Sequence, residues 1–466
     1  MMRRAAAALS PLVIAGCASF SQDGGFGTVE QLGRERIGQT PTYLRTAEQA
    51  DSARARVAEL LRQVLSADSA VEIALLNNRG LQASYAELGI AESDLVRAGR
   101  LANPSFSFGR LSGNGAVEID RAVIFDVLGL LTMPISRQVE QRRFEQAQLQ
   151  AAYDTVGLAG EVRKAFFDAV SAQQRAGYFA QVREAADASN ELARRMVAAG
   201  NFSRLAQLRE QSFNAEATSQ LARARHQAVA ARERLTRVLA LGVGDPLDFR
   251  LPERLPDLPA APAEPKDAEQ TAMDKRLDVL IAKRATESTA RSMGLTKATR
   301  FINVLHAGYR NKSATGEDRS NGYEIELELP LFDFGATRVA RAEATYLQAL
   351  NRTAQVAIDA RSEVREAYSA YRTAYDLARH YRDEVVPLRK RISEENLLRY
   401  NGMLASVFDL LADSREQIAS VTAAVESLHD YWVAQTNLQT ALTGRSPGPV
   451  PAMAPAGSAA AAPRAH

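Results

Sequence analysis

The chain has 466 residues, 46% of them hydrophobic and 6% aromatic, and its 57 Lys and Arg against 55 Asp and Glu leave a formal net charge of +2. That balance excludes a nucleic-acid binder working through bulk positive charge, and the apolar fraction excludes a disordered chain. A single cysteine excludes an internal disulfide framework.

Met1-Met2-Arg3-Arg4 is a short positive segment, Ala5 to Ile14 is apolar, and Ile14-Ala15-Gly16 places small residues before Cys17. Residues 1–16 resemble a bacterial lipoprotein signal peptide with its lipobox; an ordinary signal peptide is the alternative, and a transmembrane helix is disfavoured because the apolar run is shorter than the roughly 18 residues that span a bilayer. Cys17 is then the acylation site, and residues 17–65 form an N-terminal segment anchored to outer-membrane lipid. Ala18 follows the cysteine, whereas the inner-membrane retention rule of such lipoproteins favours Asp there, so the lipoprotein resemblance implies the outer membrane.

A helix is predicted from Asp68 to Leu101, followed by two strands at about 104–111 and 117–126 around Ser112-Gly113-Asn114-Gly115. Phe106 and Phe108 alternate with Ser105 and Ser107. From Pro134, a good first-turn residue, helical composition continues to Ala199, roughly 100 Å at 1.5 Å per residue. Gly200-Asn201 breaks this rod, and Phe202 to Leu241 returns as a second helix. Residues 244–267 contain six prolines, the mark of an extended connector rather than a core segment.

The order then repeats. A helix over Ala268–Thr299 leads to strands at about 301–312 and 320–332, where Tyr323, Ile325, Leu327 and Leu329 alternate with Glu324, Glu326 and Glu328. A long helix from Phe334 to Tyr400, a break at Asn401-Gly402 and a return helix from Met403 to Leu442 follow, with Tyr381/Leu388 and Val385/Ile392 at seven-residue spacing. Pro387 is expected to kink its helix, and Gly157 and Gly160 to mark a bend or a close helix approach. Glu161-Val162-Arg163 matches Glu363-Val364-Arg365, Gly200 matches Gly402, and Gly242 matches Gly444, each pair separated by the same interval. Residues 66–243 and 268–444 are therefore two copies of one unit, and 445–466 is an Ala/Pro/Gly-rich tail expected to be disordered.

After the signal peptide no apolar helix of membrane length occurs, so a membrane crossing has to use strands closed into a barrel. Four strands cannot close one, whereas three copies of the chain supply twelve. In such a homotrimer Glu118, Asp120, Glu324, Glu326 and Glu328 would line the lumen, and rings of carboxylate favour cations; plain solvation of a water-facing strand is the alternative. The five histidines lie far apart in sequence, and no nucleotide loop, nucleophile elbow or zinc motif is present. No enzymatic activity, cofactor, metal site or nucleic-acid partner is expected.

The order of parts, the Pro330-Leu331-Phe332-Asp333-Phe334-Gly335 segment, similar to a "PLFDxG" strand-to-helix junction, and the Gly402 to Arg415 tip resemble the outer membrane factors of the TolC family, in its lipoprotein branch. At the corresponding place the first repeat departs, with Ile124-Phe125-Asp126-Val127-Leu128-Gly129 and a Leu-rich stretch. The resemblance implies a mainly α chain with a membrane β-barrel, a duplicated long-helix/β-hairpin repeat whose trimer forms a 12-stranded barrel plus a 12-helix periplasmic tunnel. It also implies a passive export duct working with a periplasmic adaptor and an inner-membrane transporter. Adaptor docking maps onto tips at Gly200, Asn201, Phe202, Gly402, Met403 and Leu404, and an acidic gate onto Asp409. The usual second gate position is Ala412, with Asp413 as the substitute. A periplasmic coiled-coil adaptor or structural lipoprotein without a pore is the alternative, and the exported substrate, whether drug, cation or polypeptide, stays open.

Overall fold

Residues 19–113, 115–242 and 248–448 are described by the computed structural model. The signal peptide 1–16, Cys17, the start of the proline-rich segment and most of the tail lie outside them. Among the described residues the helices are α1 (Gly27–Ile37), α2 (Ala47–Leu61), α3 (Ala67–Asn77), α4 (Arg79–Ala98), α5 (Val127–Ala198), α6 (Arg204–Val238), α7 (Ala268–Lys275), α8 (Leu277–Ala298), α9 (Ala336–His380), α10 (Val386–Asn401) and α11 (Val407–Thr443). The strands are β1 (Ser105–Gly113), β2 (Ala116–Asp126), β3 (Val304–Ala314) and β4 (Ser320–Glu328), and a π turn, Tyr381–Val385, separates α9 from α10. None of these helices is long and apolar enough to cross a membrane.

The chain divides into two compact units. The first comprises residues up to Leu32, Ala83–Ala152 and Leu277–Ile358. Its centre is one antiparallel sheet in the order β1-β2-β3-β4, so the two hairpins lie side by side through β2 and β3. Among the described residues the second unit, Gly33–Gln82, Tyr153–Arg276 and Asp359 onward, is built of helices, the irregular proline-rich segment and one isolated bridge between Val64 and Arg250.

Pro134 is not the first-turn residue that the sequence suggests. Helix α5 starts at Val127 because Asp126 is a better start signal: its carboxylate accepts the Gly129 N–H at 2.8 Å, as an N-cap does. Pro134 therefore lies inside the helix, where it removes one backbone hydrogen bond without ending the element. Strand β4 likewise ends at Glu328 instead of running on to Phe332, since Pro330 has no N–H for a ladder.

In the helical unit the buried seam of α9 is Ala360, Val364, Ala367, Tyr371, Ala374 and Ala378, spaced alternately by four and three. This is the heptad stripe, and it lies upstream of the Tyr381/Leu388 and Val385/Ile392 pairs suggested by spacing alone. Those pairs straddle the π turn, where Val386 N–H bonds to Tyr381 O and the wider turn admits Pro387.

The proline-rich segment is no loose connector from Asp248 onward. Phe249, Leu251, Leu255 and Leu258 are buried, and helix side chains satisfy a backbone that prolines leave without a ladder of its own. Tyr375 Oη donates to Ala260 O at 2.9 Å, Trp432 Nε1 to Pro256 O at 3.0 Å, and Arg232 to Phe249 O at 2.7 Å, while Tyr371 Oη accepts from Ala263 N at 2.7 Å.

The repeat-related glutamates converge on one short stretch. Glu161 pairs with Arg445, whose guanidinium lies over the Tyr153 ring, while Glu363 accepts from Ser446 Oγ at 2.7 Å and pairs with buried Arg276. The close approach at Gly157 and Gly160 follows from the same packing. A Cβ at Gly157 would stand 2.6 Å from the Arg445 guanidinium, and one at Gly160 would stand 2.9 Å from Thr440 Oγ1.

Candidate functional site

Register sorts the sheet into two faces. One carries Phe106 and Phe108 of β1, Val117, Ile119, Val123 and Phe125 of β2, Leu305, Ala307 and Tyr309 of β3, and Tyr323, Ile325 and Leu327 of β4. The large side chains of this face are mostly exposed, Tyr323 at 87% and Phe106 at 67%. A face of that composition suits hydrocarbon. A polar rung interrupts it, where Arg121 donates to Asn311 at 3.0 Å and Asn311 to Asn321 at 2.6 Å, and beyond that rung only Ile119 and Val117 of β2 continue the apolar face toward the turn.

All five carboxylates singled out in the sequence, Glu118, Asp120, Glu324, Glu326 and Glu328, share the opposite face with Asp126. They are not a bare acidic ladder. Lys312 Nζ meets Glu118 at 2.6 Å, and Arg310 binds both oxygens of Asp120 and approaches Glu324 at 3.6 Å. Nearer the helices Glu326 has His306 Nδ1 at 3.0 Å and Glu328 accepts from Asn303 at 3.0 Å. Positive charge is thus concentrated toward the hairpin turns and uncompensated acid toward the helical end. Arg310, Lys312 and His306 are the residues that sequence reasoning missed; they alternate along β3, and only the strand register shows that they oppose the acids.

Strand-to-helix geometry at residues 330–337 has a physical reason in each position. Phe334 N–H bonds to Pro330 O at 2.7 Å, and Asp333 accepts from Gly335 N at 2.9 Å and from Thr337 Oγ1. Thr337 and the Gly335 N–H, in that order, hold the Asp333 carboxyl below its usual range. Phe334 and Gly335 take left-handed φ values of 48° and 70°, and a Cβ at Gly335 would lie 2.2 Å from Arg300 O. The first repeat uses the continuous start of α5 instead, so the two junctions differ.

At the helix breaks one motif serves both repeats. Asn201 N bonds to Met196 O at 2.9 Å with Gly200 at φ 74°, and Leu404 N bonds to Arg399 O at 2.8 Å with Met403 at φ 60°. The left-handed role of Gly200 therefore falls to Met403 rather than to Gly402, whose φ is −82°. Met403 and Leu404 are 93% and 81% exposed, and Asn201 is exposed with Phe202 half-buried.

Asp409 closes a capping box with Ser406, accepting from Ser406 N at 2.9 Å and from its hydroxyl at 2.8 Å. Those bonds, the backbone one first, lower its pKa. Asp413, one turn later, is buried, and its Oδ2 has no hydrogen-bond partner.

A further polar cluster lies within the helical unit, around a cavity of about 620 Å³. His429 Nε2 of α11 binds Asp168 of α5 at 2.8 Å, and Arg234 of α6 reaches the same carboxylate at 3.5 Å. Burial pushes the His429 pKa down, yet the hydrogen bonds to Asp168 and Asp430 outweigh it and raise the pKa to about 9. Among the described residues no set of His, Cys, Asp and Glu is arranged to hold a metal ion.

Among the described residues the sheet thus has one apolar face, one charged face and two edge strands, β1 and β4, without a partner. The chain matches, over residues 269–401, a model of the outer membrane efflux protein family. Its fold is shared with a membrane protein from Pseudomonas aeruginosa (TM-score 0.70, 18% identity, covering 83% of this chain and 91% of that one). It is also shared with the CmeC outer membrane channel of Campylobacter jejuni (0.66, 14%, 90% and 93%) and with the open state of the MtrE channel of Neisseria gonorrhoeae (0.66, 15%, 84% and 89%). Among curated proteins none matches the sequence significantly.

Proposed function

We propose that three copies of this chain, each lipid-anchored at Cys17, close a 12-stranded barrel and form a passive export duct. A periplasmic adaptor and an inner-membrane transporter deliver the cargo and the energy. The observation that carries this reading is the sheet: β1 and β4 are both unpaired edges, one face is apolar and the other charged. Exposed edges are a liability unless another strand pairs with them, and joining β4 of one copy to β1 of the next removes every edge.

Adaptor docking at the tips is supported by Met403, which keeps a left-handed backbone that glycine adopts more easily while exposing its side chain. Backbone strain held at an exposed apolar tip is consistent with a binding role. A gate that includes Asp413 is supported by its buried, unpartnered oxygen, which a neighbouring copy can satisfy. Asp409 has a local capping duty whether or not it lines a constriction.

Native mass spectrometry of protein extracted from outer membranes tests the assembly. A trimer of acylated chains is expected. An acylated monomer or dimer would overturn the barrel and favour a coiled-coil adaptor instead.

A further inference from the structure

The apolar rungs of the sheet are too few for a bilayer. On β4 and just beyond it the outward series is Tyr323, Ile325, Leu327 and Leu329, about 20 Å along the strand at 3.4 Å per residue and less once tilted. A membrane barrel presents an apolar band about 25 Å tall. On β3 and β4 the polar pair Asn311 and Asn321 closes the band on the hairpin side, and on β1 it stops at Arg110, which is in register with Ile119, so on these strands it has to be completed at the helical ends. Exposed apolar side chains are found there: Leu101 at the end of the α4 to β1 connection, and Leu130 and Leu131 in the first turns of α5.

Between the end of α4 and the start of α5 runs a groove of about 560 Å³, whose lining combines the apolar Phe20, Val96, Leu101, Leu130 and Met133 with Arg97, Arg100, Asn103 and the hydroxyls of Ser93, Thr132 and Ser136. The N-terminal segment is tied down beside it. Ser21 donates to buried Glu92 through its backbone and its hydroxyl, and Asp23 accepts from Gly25 N at 3.0 Å and Gly27 N at 2.9 Å. Gln148 then donates to Gly25 O at 2.8 Å, and Phe26 packs edge-on against Tyr85 with centroids 4.8 Å apart. Cys17 precedes Phe20 by three residues, a length of chain that spans at most about 11 Å when extended.

We infer that this groove seats an acyl chain carried by Cys17 of the same chain. The seat rests on the lipid-anchor reading above. It holds the stem of the lipid against the protein at the inner-leaflet level, so that the anchor completes the apolar band at the first-repeat junction. Phe20, 55% exposed although it belongs to a firmly tied segment, would be covered by the lipid.

The test is growth with a diazirine-bearing fatty acid, irradiation of isolated outer membranes, and peptide mapping of the purified full chain, with light and heavy isotope populations mixed. Expected are cross-links from the Cys17-borne chain to residues 93–103 or 129–136 within one isotopic chain. Leu130→Trp, which fills the groove, should reduce them several-fold, whereas Phe332→Ala at the other junction should not. Label on Cys17 with no such cross-links would overturn the seat and leave the anchor standing. Label absent from the protein would overturn the anchor itself, and cross-links only between light and heavy chains would overturn a seat within one chain.

Discussion

His429 shows how a single side chain can fasten two helices, α11 to α5, through a carboxylate that Arg234 of α6 also reaches. Its pKa is raised from about 6.5 in an unfolded chain to about 9 in the fold. The stabilisation is therefore complete below about pH 6.5 and lost as pH rises through 9. His429→Gln is expected to cost on the order of 2 kcal/mol at pH 6 and little at pH 10, read by thermal unfolding at both values; an equal loss at both would mean that packing alone is involved. Gly335→Ala combines a left-handed φ with a Cβ 2.2 Å from Arg300 O. It should destabilise by more than about 2 kcal/mol and lower the yield of assembled protein in the membrane, whereas Gly322→Ala, with open space around its Cβ, should be mild. Neither environment is legible in sequence. His429 is a lone histidine there, and its partner Asp168 is far away along the chain.

At the scale of elements, alternation and glycine breaks are local signals, and they place the four strands and the two helix breaks near their observed positions. The seam of α9 is less legible because it is built of alanine and tyrosine, whereas heptads are sought among leucines. The 248–267 segment misleads for a related reason: prolines announce an extended chain but say nothing about what surrounds it. Its packing depends on hydroxyl and indole donors from distant helices. Trp432→Phe, which removes the bond to Pro256 O but keeps the ring, should cost about 1 kcal/mol and increase proteolysis of the 248–267 segment. Unchanged protection would show that apolar burial of Leu255 and Leu258 suffices.

For the whole molecule, the distribution of charge across the sheet matters more than its total. Arg310 and Lys312 offset Glu118, Asp120 and Glu324, leaving Asp126, Glu326 and Glu328 as the acids without a permanent cation close by. In the proposed trimer this gives an acidic ring at the helical end of the lumen. Glu326→Gln with Glu328→Gln should therefore lower cation preference, measured by reversal potential in planar bilayers, more than Glu118→Gln does. Equal effects would place selectivity elsewhere.

Glu161 and Glu363, one from each repeat, both hold the residues that follow α11. In chain order Arg445 and Ser446 come after both repeats, so a polypeptide emerging into the periplasm from its N-terminus has both halves in place before this closure forms. A chain truncated just after Thr443 would keep every strand and helix described above but leave Glu161 without Arg445 and Glu363 without Ser446.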